Sequence, residues 1–153
     1  MNPDWEVVVT EAEQTITFTV PGTPKPQGSM KCFGSVIVHN DAPALKNWRE
    51  LVGFYAVQAA RREGWKLPID QPIALSVRFV LPKPKKPRWW LPAVTPDLDK
   101  LLRAVGDALS PKKGIKFLAE DSRIVAFRNV EKVYADTPKE TGAVIRVRIL
   151  NNK

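Results

Sequence analysis

The sequence predicts an α/β (α+β) fold, a two-layer domain in which a mixed β-sheet packs against two main helices. Three observations predict it. Residues 15–20 and 73–81 alternate apolar and polar side chains with the period of a half-buried strand. Two other stretches repeat apolar residues every three or four positions, as an amphipathic helix does. The order along the chain, β, α, β, α, β, β, suits helices packed on one sheet.

The first strand reads Thr-Ile-Thr-Phe-Thr-Val, with Ile16, Phe18 and Val20 on one face. Pro21, Gly22, Pro24, Pro26 and Gly28 then impose a stiff loop. Residues 36–38 form a short strand. Asn40 or Asp41 caps a helix that runs to about Gly64, and Leu45, Trp48, Val52, Tyr55 and Ala59 are its core stripe. After the strand at 73–81, five prolines within residues 82–96 forbid regular structure. Beyond Asp97, the residues Leu98, Leu101, Leu102, Val105 and Leu109 draw the stripe of a second helix. Residues 110–116 are a polar turn. Residues 124–134 and 143–150 are expected to be two closing strands, paired as a hairpin. No repeat or linker interrupts the pattern, so residues 1–153 read as one domain.

The chain has 153 residues, enough to bury a core. No run approaches the roughly 20 apolar residues of a membrane span. No basic stretch followed by an apolar one opens the chain, so no signal peptide is expected. Cys32 has no second cysteine to pair with, which suits a reducing cytoplasm. Lys plus Arg number 24 against 16 for Asp plus Glu, a net charge of +8. That excess suits a polyanion, and nucleic acid is the expected one. No basic amphipathic helix points to a membrane surface instead.

Asp97-Leu98-Asp99 stands where the second helix begins. Mg²⁺ prefers hard oxygen ligands, one or two carboxylates completed by water and phosphate. Glu120-Asp121, just before the strand at 124, can supply a third carboxylate. The plainer role for Asp97 and Asp99 is helix capping, where a carboxylate meets free N–H groups and the helix dipole. Asp99, Arg103 and Asp107 also recur at four-residue steps, which sets a cation beside the acids or makes an exposed ion ladder. A zinc site is excluded within one chain by a single histidine, His39, and a single cysteine, Cys32. His39 reads as a surface or loop histidine, and nothing near Cys32 supports a nucleophile.

Lys83, Lys85, Lys86 and Arg88 fall within six residues with no acid among them, and Trp89 and Trp90 follow. Cations neutralise phosphates and indoles stack on exposed bases. The competing roles are a solvated loop, and tryptophans that fold into the core or a dimer interface.

The segment 97–109, Asp-Leu-Asp-Lys-Leu-Leu-Arg-Ala-Val-Gly-Asp-Ala-Leu, is followed after a polar spacer by Phe-Leu-Ala-Glu-Asp-Ser-Arg-Ile-Val at 117–125. Together they resemble the RusA family of Holliday junction resolvases. The family pattern is Asp-Leu-Asp, a leucine-rich helix ending in Asp-Ala-Leu, then an acidic pair and an aliphatic strand. The close match covers about a quarter of the chain. The Pro21-Gly22-x-Pro24 loop and the closing strands agree more loosely.

The resemblance implies a RusA-like fold and a homodimeric, Mg²⁺-dependent endodeoxyribonuclease acting on four-way or other branched DNA in recombination and repair. It implies Asp97, Asp99 and Asp121 as metal ligands and catalytic residues, with Asp107 and Glu120 as secondary acids. Arg103 stands where the family has lysine. It can hold a phosphate but is a poor proton donor, and Lys100 can share the role. Lys83, Lys85, Lys86, Arg88, Trp89 and Trp90 are the expected DNA contacts. Two alternatives remain: a non-catalytic DNA-binding module using the basic loop, and a protein-interaction domain in which the acids cap helices.

Overall fold

The alternation at 15–20 becomes strand β1 (Gln14–Pro21), which buries Ile16, Phe18 and Val20 and exposes the threonines between them. The computed structural model describes residues 14–28, 30–33, 36–39 and 42–151. Two short strands, β2 (Met30–Phe33) and β3 (Val36–His39), pair antiparallel as a separate ribbon. Helix α1 (Ala42–Arg62) follows, and its predicted caps Asn40 and Asp41 lie outside the described residues. Leu45, Trp48, Val52 and Ala59 of its predicted stripe are buried, and Tyr55 is half-buried. Gly64, at φ +72°, turns the chain out of the helix, a backbone conformation that costs glycine little.

The central strand of the main sheet is β4 (Ile73–Leu81). It pairs antiparallel with β7 (Gly142–Ile149), which pairs antiparallel with β1. On its other edge β4 pairs parallel with β5 (Ile124–Phe127) and then with β6 (Glu131–Tyr134). The sheet is therefore mixed, as the sequence predicts. The expected closing hairpin does not form. Residues 124–134 break into two strands at Arg128-Asn129-Val130, where Asn129 takes φ 55°. Both halves follow β4, while β7 crosses to its opposite edge. The periodicity of 124–150 carried the strands but not their partners, because a half-buried strand shows the same alternation beside any neighbour. Gly142 fixes the join of β7 to β1: a Cβ there would collide with the carbonyl oxygen of Val20.

Helix α2 (Leu98–Leu109) packs on α1, and the two helices share one hydrophobic cluster with the inner face of the sheet. Leu101, Val105 and Leu109 are fully buried. Truncating one such leucine to alanine costs about 2–5 kcal/mol. An exposed ion pair contributes about 0–1 kcal/mol. The apolar face therefore holds α2 in place, and its acids are not needed for that. The other sheet face carries polar residues, with Arg146 Nε donating to Thr17 Oγ1 at 3.2 Å. No helix among the described residues is long and apolar enough to cross a membrane.

Candidate active site

Asp97 occupies the N-cap position of α2 with extended backbone (φ −68°, ψ 140°). Its carbonyl accepts the first helical hydrogen bond, from Leu101 N at 3.0 Å. Its side chain makes no capping hydrogen bond. Asparagine, aspartate and serine earn their place at N-caps by that side-chain bond, so capping does not account for this carboxylate. It lies 3.5 Å from Lys100 Nζ instead, with both groups about half exposed. Asp99, in the first turn, is exposed and makes no ion pair or side-chain hydrogen bond among the described residues.

Asp97 and Lys100 open onto a cleft of about 530 Å³. Thr23, Lys25 and Pro26 of the β1–β2 loop form one wall, and Pro82, Pro92 and Pro96 with Tyr134 form the other. Lys25 and Lys100 make the cleft a place where a phosphate can meet two cations beside a carboxylate.

The other acids gather at the far end of α2. Ser110, its C-cap residue, donates its hydroxyl to Asp121 Oδ1. Asp121 opens a short 3₁₀ turn (Asp121–Arg123) leading into β5. Asp107 accepts a hydrogen bond from Gln27 Nε2, and Arg49 Nη1 of α1 donates to Gln27 Oε1 at 3.0 Å. Burial raises the Asp107 pKa, and the Asp121 charge raises it further. The Gln27 hydrogen bond and the Arg49 and Arg103 charges act against that rise. Gln27 N also donates to Lys100 O at 3.0 Å, so the loop after β1 runs along α2. Gly28, at φ +111°, brings that loop against Arg103; a Cβ there would stand 3.1 Å from its Nη1.

Sequence-predicted site residues thus divide into two groups. Asp97, Asp99 and Lys100 share the start of α2. Asp107 and Asp121 share its end. From Lys100 to Asp107 the helix rises roughly 10 Å, and from Asp97 to Ser110, the partner of Asp121, roughly 20 Å, at about 1.5 Å per residue. Among the described residues, no three carboxylate, histidine or cysteine side chains converge as a metal cage. The ladder Asp99–Arg103–Asp107 forms no ion pair within 4.0 Å, and Arg103 acts on Asp107 only through its charge. Glu120 turns from Asp121 to Arg123, 3.2 Å away, which also holds Asp70 at 2.7 Å.

The family model for endodeoxyribonuclease RusA matches residues 21–148. The chain belongs to the RusA endodeoxyribonuclease family. No curated protein sequence gives a significant match.

In this RusA-family chain the basic loop is outside the core. Lys83, Lys85, Lys86 and Arg88 are exposed. Trp90 is 85% exposed and Trp89 47%, so neither folds back into the chain's own core. The Arg88 guanidinium lies over the Trp89 ring, 5.0 Å from its centroid. That contact occupies one face of Trp89 and leaves Trp90 free. A second cleft, about 650 Å³, joins Lys83 and Lys85 to Lys139 across the β6–β7 turn.

Sequence reasoning missed Gln27, Arg49, Ser110, Lys25 and Tyr134. Only Ser110 carried a local signal, as a polar residue closing the leucine stripe. The others reach the site from elements far away in the chain.

Proposed function

We propose that this chain is a metal-dependent endodeoxyribonuclease that cuts four-way junctions or other branched DNA, working as a homodimer in recombination and repair. The observation that carries the reading is the Asp97 carboxylate, which stands at a helix start without capping it and faces Lys100 in a cleft. Family membership supplies the reaction class.

The donor set suits Mg²⁺: Asp97 and Asp99 offer two hard, solvent-accessible carboxylates. Asp97 and Asp99 would hold the ion. When bound there, Mg²⁺ polarises a phosphate oxygen and lowers the pKa of a water. Lys100 and Lys25 offset the charge that accumulates on the phosphate. Arg103 lies one turn further on and holds backbone phosphate rather than moving a proton. The basic loop binds the DNA arms through Lys83, Lys85, Lys86 and Arg88, and Trp89 and Trp90 offer stacking faces.

Asp121 is at the wrong end of α2 to join Asp97 of its own chain. A twofold dimer resolves this if the Asp121 end of one chain meets the Asp97 end of the other. Such a dimer also matches the symmetry of a four-way junction.

Subunit mixing tests the arrangement. Asp97→Asn and Asp121→Asn chains, each inactive alone, should recover nicking when refolded together, because one of the two shared sites is then intact. Mixtures that stay inactive, although mass measurement shows mixed dimers, would place all three acids in one chain's site.

The absence of a converged metal cage among the described residues favours one second reading, a DNA-binding module without catalysis. Incubating wild-type protein with a four-way junction and with matched duplex, with and without Mg²⁺, separates the two.

A further inference from the structure

Residues 82–96 have a shortage of backbone donors. Pro82, Pro84, Pro87, Pro92 and Pro96 carry no N–H, so the segment has fifteen carbonyls but only ten amides. The segment pairs with no strand. Just before α2, two of these carbonyls find a donor on a distant element. Lys132 Nζ of β6 donates to Val94 O at 2.7 Å and to Pro96 O at 2.8 Å. The Pro96 carbonyl precedes the first helical acceptor, which is Asp97 O, so the helix offers it no partner.

Lys132 is well placed to act as an anchor. Its backbone stands opposite Phe79, a fully buried residue of β4. The ammonium spans from the sheet to the peptide that sets the direction of Asp97. An ammonium has three donors, and two of them are committed here. A lysine side chain gives up rotamer freedom when it is fixed, so a lysine held by two carbonyls is unlike the exposed cations of the basic loop.

We propose that Lys132 is a positioning residue for Asp97: it clamps the Val94 and Pro96 carbonyls, and so fixes the start of α2 at which the Asp97 carboxylate is presented to the cleft. The proposal rests on Asp97 being a metal ligand. Groups that orient metal ligands from behind typically change metal affinity or activity by about 10–100-fold when removed.

The test compares Lys132→Met, which keeps the stem and loses the donors, with Lys132→Arg, which keeps charge and donors. The first readout is hydrogen exchange of the metal-free protein. In Lys132→Met the Leu101 amide, bonded to Asp97 O, should exchange at least several-fold faster, while α1 amides keep wild-type rates. Lys132→Arg should restore protection. The second readout is junction cleavage. Lys132→Met should cut about 10–100-fold more slowly and need more Mg²⁺ for half-maximal rate, with junction affinity in Ca²⁺ within about threefold of wild type. Unchanged exchange at Leu101 would overturn the proposal. So would a loss of junction affinity equal to the loss of cleavage, which would make Lys132 a DNA contact. Faster exchange in a protein whose wild type never cuts DNA would leave the clamp standing and remove the nuclease reading instead.

Discussion

Ser110 donates its hydroxyl to Asp121, and this bond ties the last residue of α2 to the turn that starts β5. It holds Asp121 a full helix length from Asp97. Ser110→Ala should release the Asp121 carboxylate and slow junction cleavage by about tenfold, the low end for outer partners of a metal ligand. Stability should change little, because one exposed hydrogen bond contributes about 0.5–1.5 kcal/mol. For a chain of this size that is a melting shift of roughly 1–6 °C. Single-turnover cleavage beside thermal melting measures both.

Asp107 should make stability depend on pH. Burial and the neighbouring Asp121 raise its pKa above the ordinary 3.8 in the folded chain. Between the unfolded and the folded pKa, the folded chain holds a proton that the unfolded chain has released. Stability is therefore greatest below the unfolded value, falls as pH rises through the folded value, and stays lower above it. Asp107→Asn removes that penalty and can keep a hydrogen bond with Gln27. Melting in EDTA should show the variant above wild type at pH 7, with the gap closing toward about pH 3. A gap that widens on acidification would reverse the assignment.

The two tryptophans should behave differently. Trp90 has both faces free, whereas Arg88 covers one face of Trp89. Base stacking contributes about 1–3 kcal/mol per base. Trp90→Ala should weaken binding to DNA with unpaired bases by about 5–150-fold and affect intact duplex less. Trp89→Ala should weaken it by a smaller factor. Fluorescence anisotropy with labelled junction and duplex measures these ratios, and equal losses on both substrates would remove the stacking role.

The basic loop should set the salt dependence. Lys85→Ala, Lys86→Ala and Arg88→Ala together should flatten the plot of log affinity against log salt by about 0.9 per lost phosphate contact on duplex arms. An unchanged slope would mean that the loop points away from the DNA.

Much of the fold was legible because its strands and helices bury one face each. Ile16, Phe18 and Val20, and Leu101, Val105 and Leu109, are spaced by their element's own period and are buried as that spacing predicts. Strand partners were not legible: 124–134 gave no sign of breaking at Asn129 or of running parallel to β4. β2 also escaped, since Met30–Phe33 is short and has no clear alternation. Within the site, Asp97 and Asp99 were legible from their place at a helix start. The separation of Asp121 was not, because it depends on the turn at 110–120 bringing Phe117 and Leu118 back to Leu109 O. Lys132 was invisible for the same reason: its partners lie 36 and 38 residues away.

In the proposed reaction the acids at the start of α2 do chemistry and do not cap the helix. Asp97→Asn and Asp99→Asn test it most directly, since asparagine is nearly isosteric and serves as well at an N-cap. The measurement is single-turnover cleavage of a four-way junction in Mg²⁺, beside a gel shift in Ca²⁺ and a melting curve. Each variant should melt within a few degrees of wild type and bind the junction at least as well, with one negative charge fewer near the phosphates. Neither variant should cut. Near-normal cleavage by either would contradict that role and return that carboxylate to the helix.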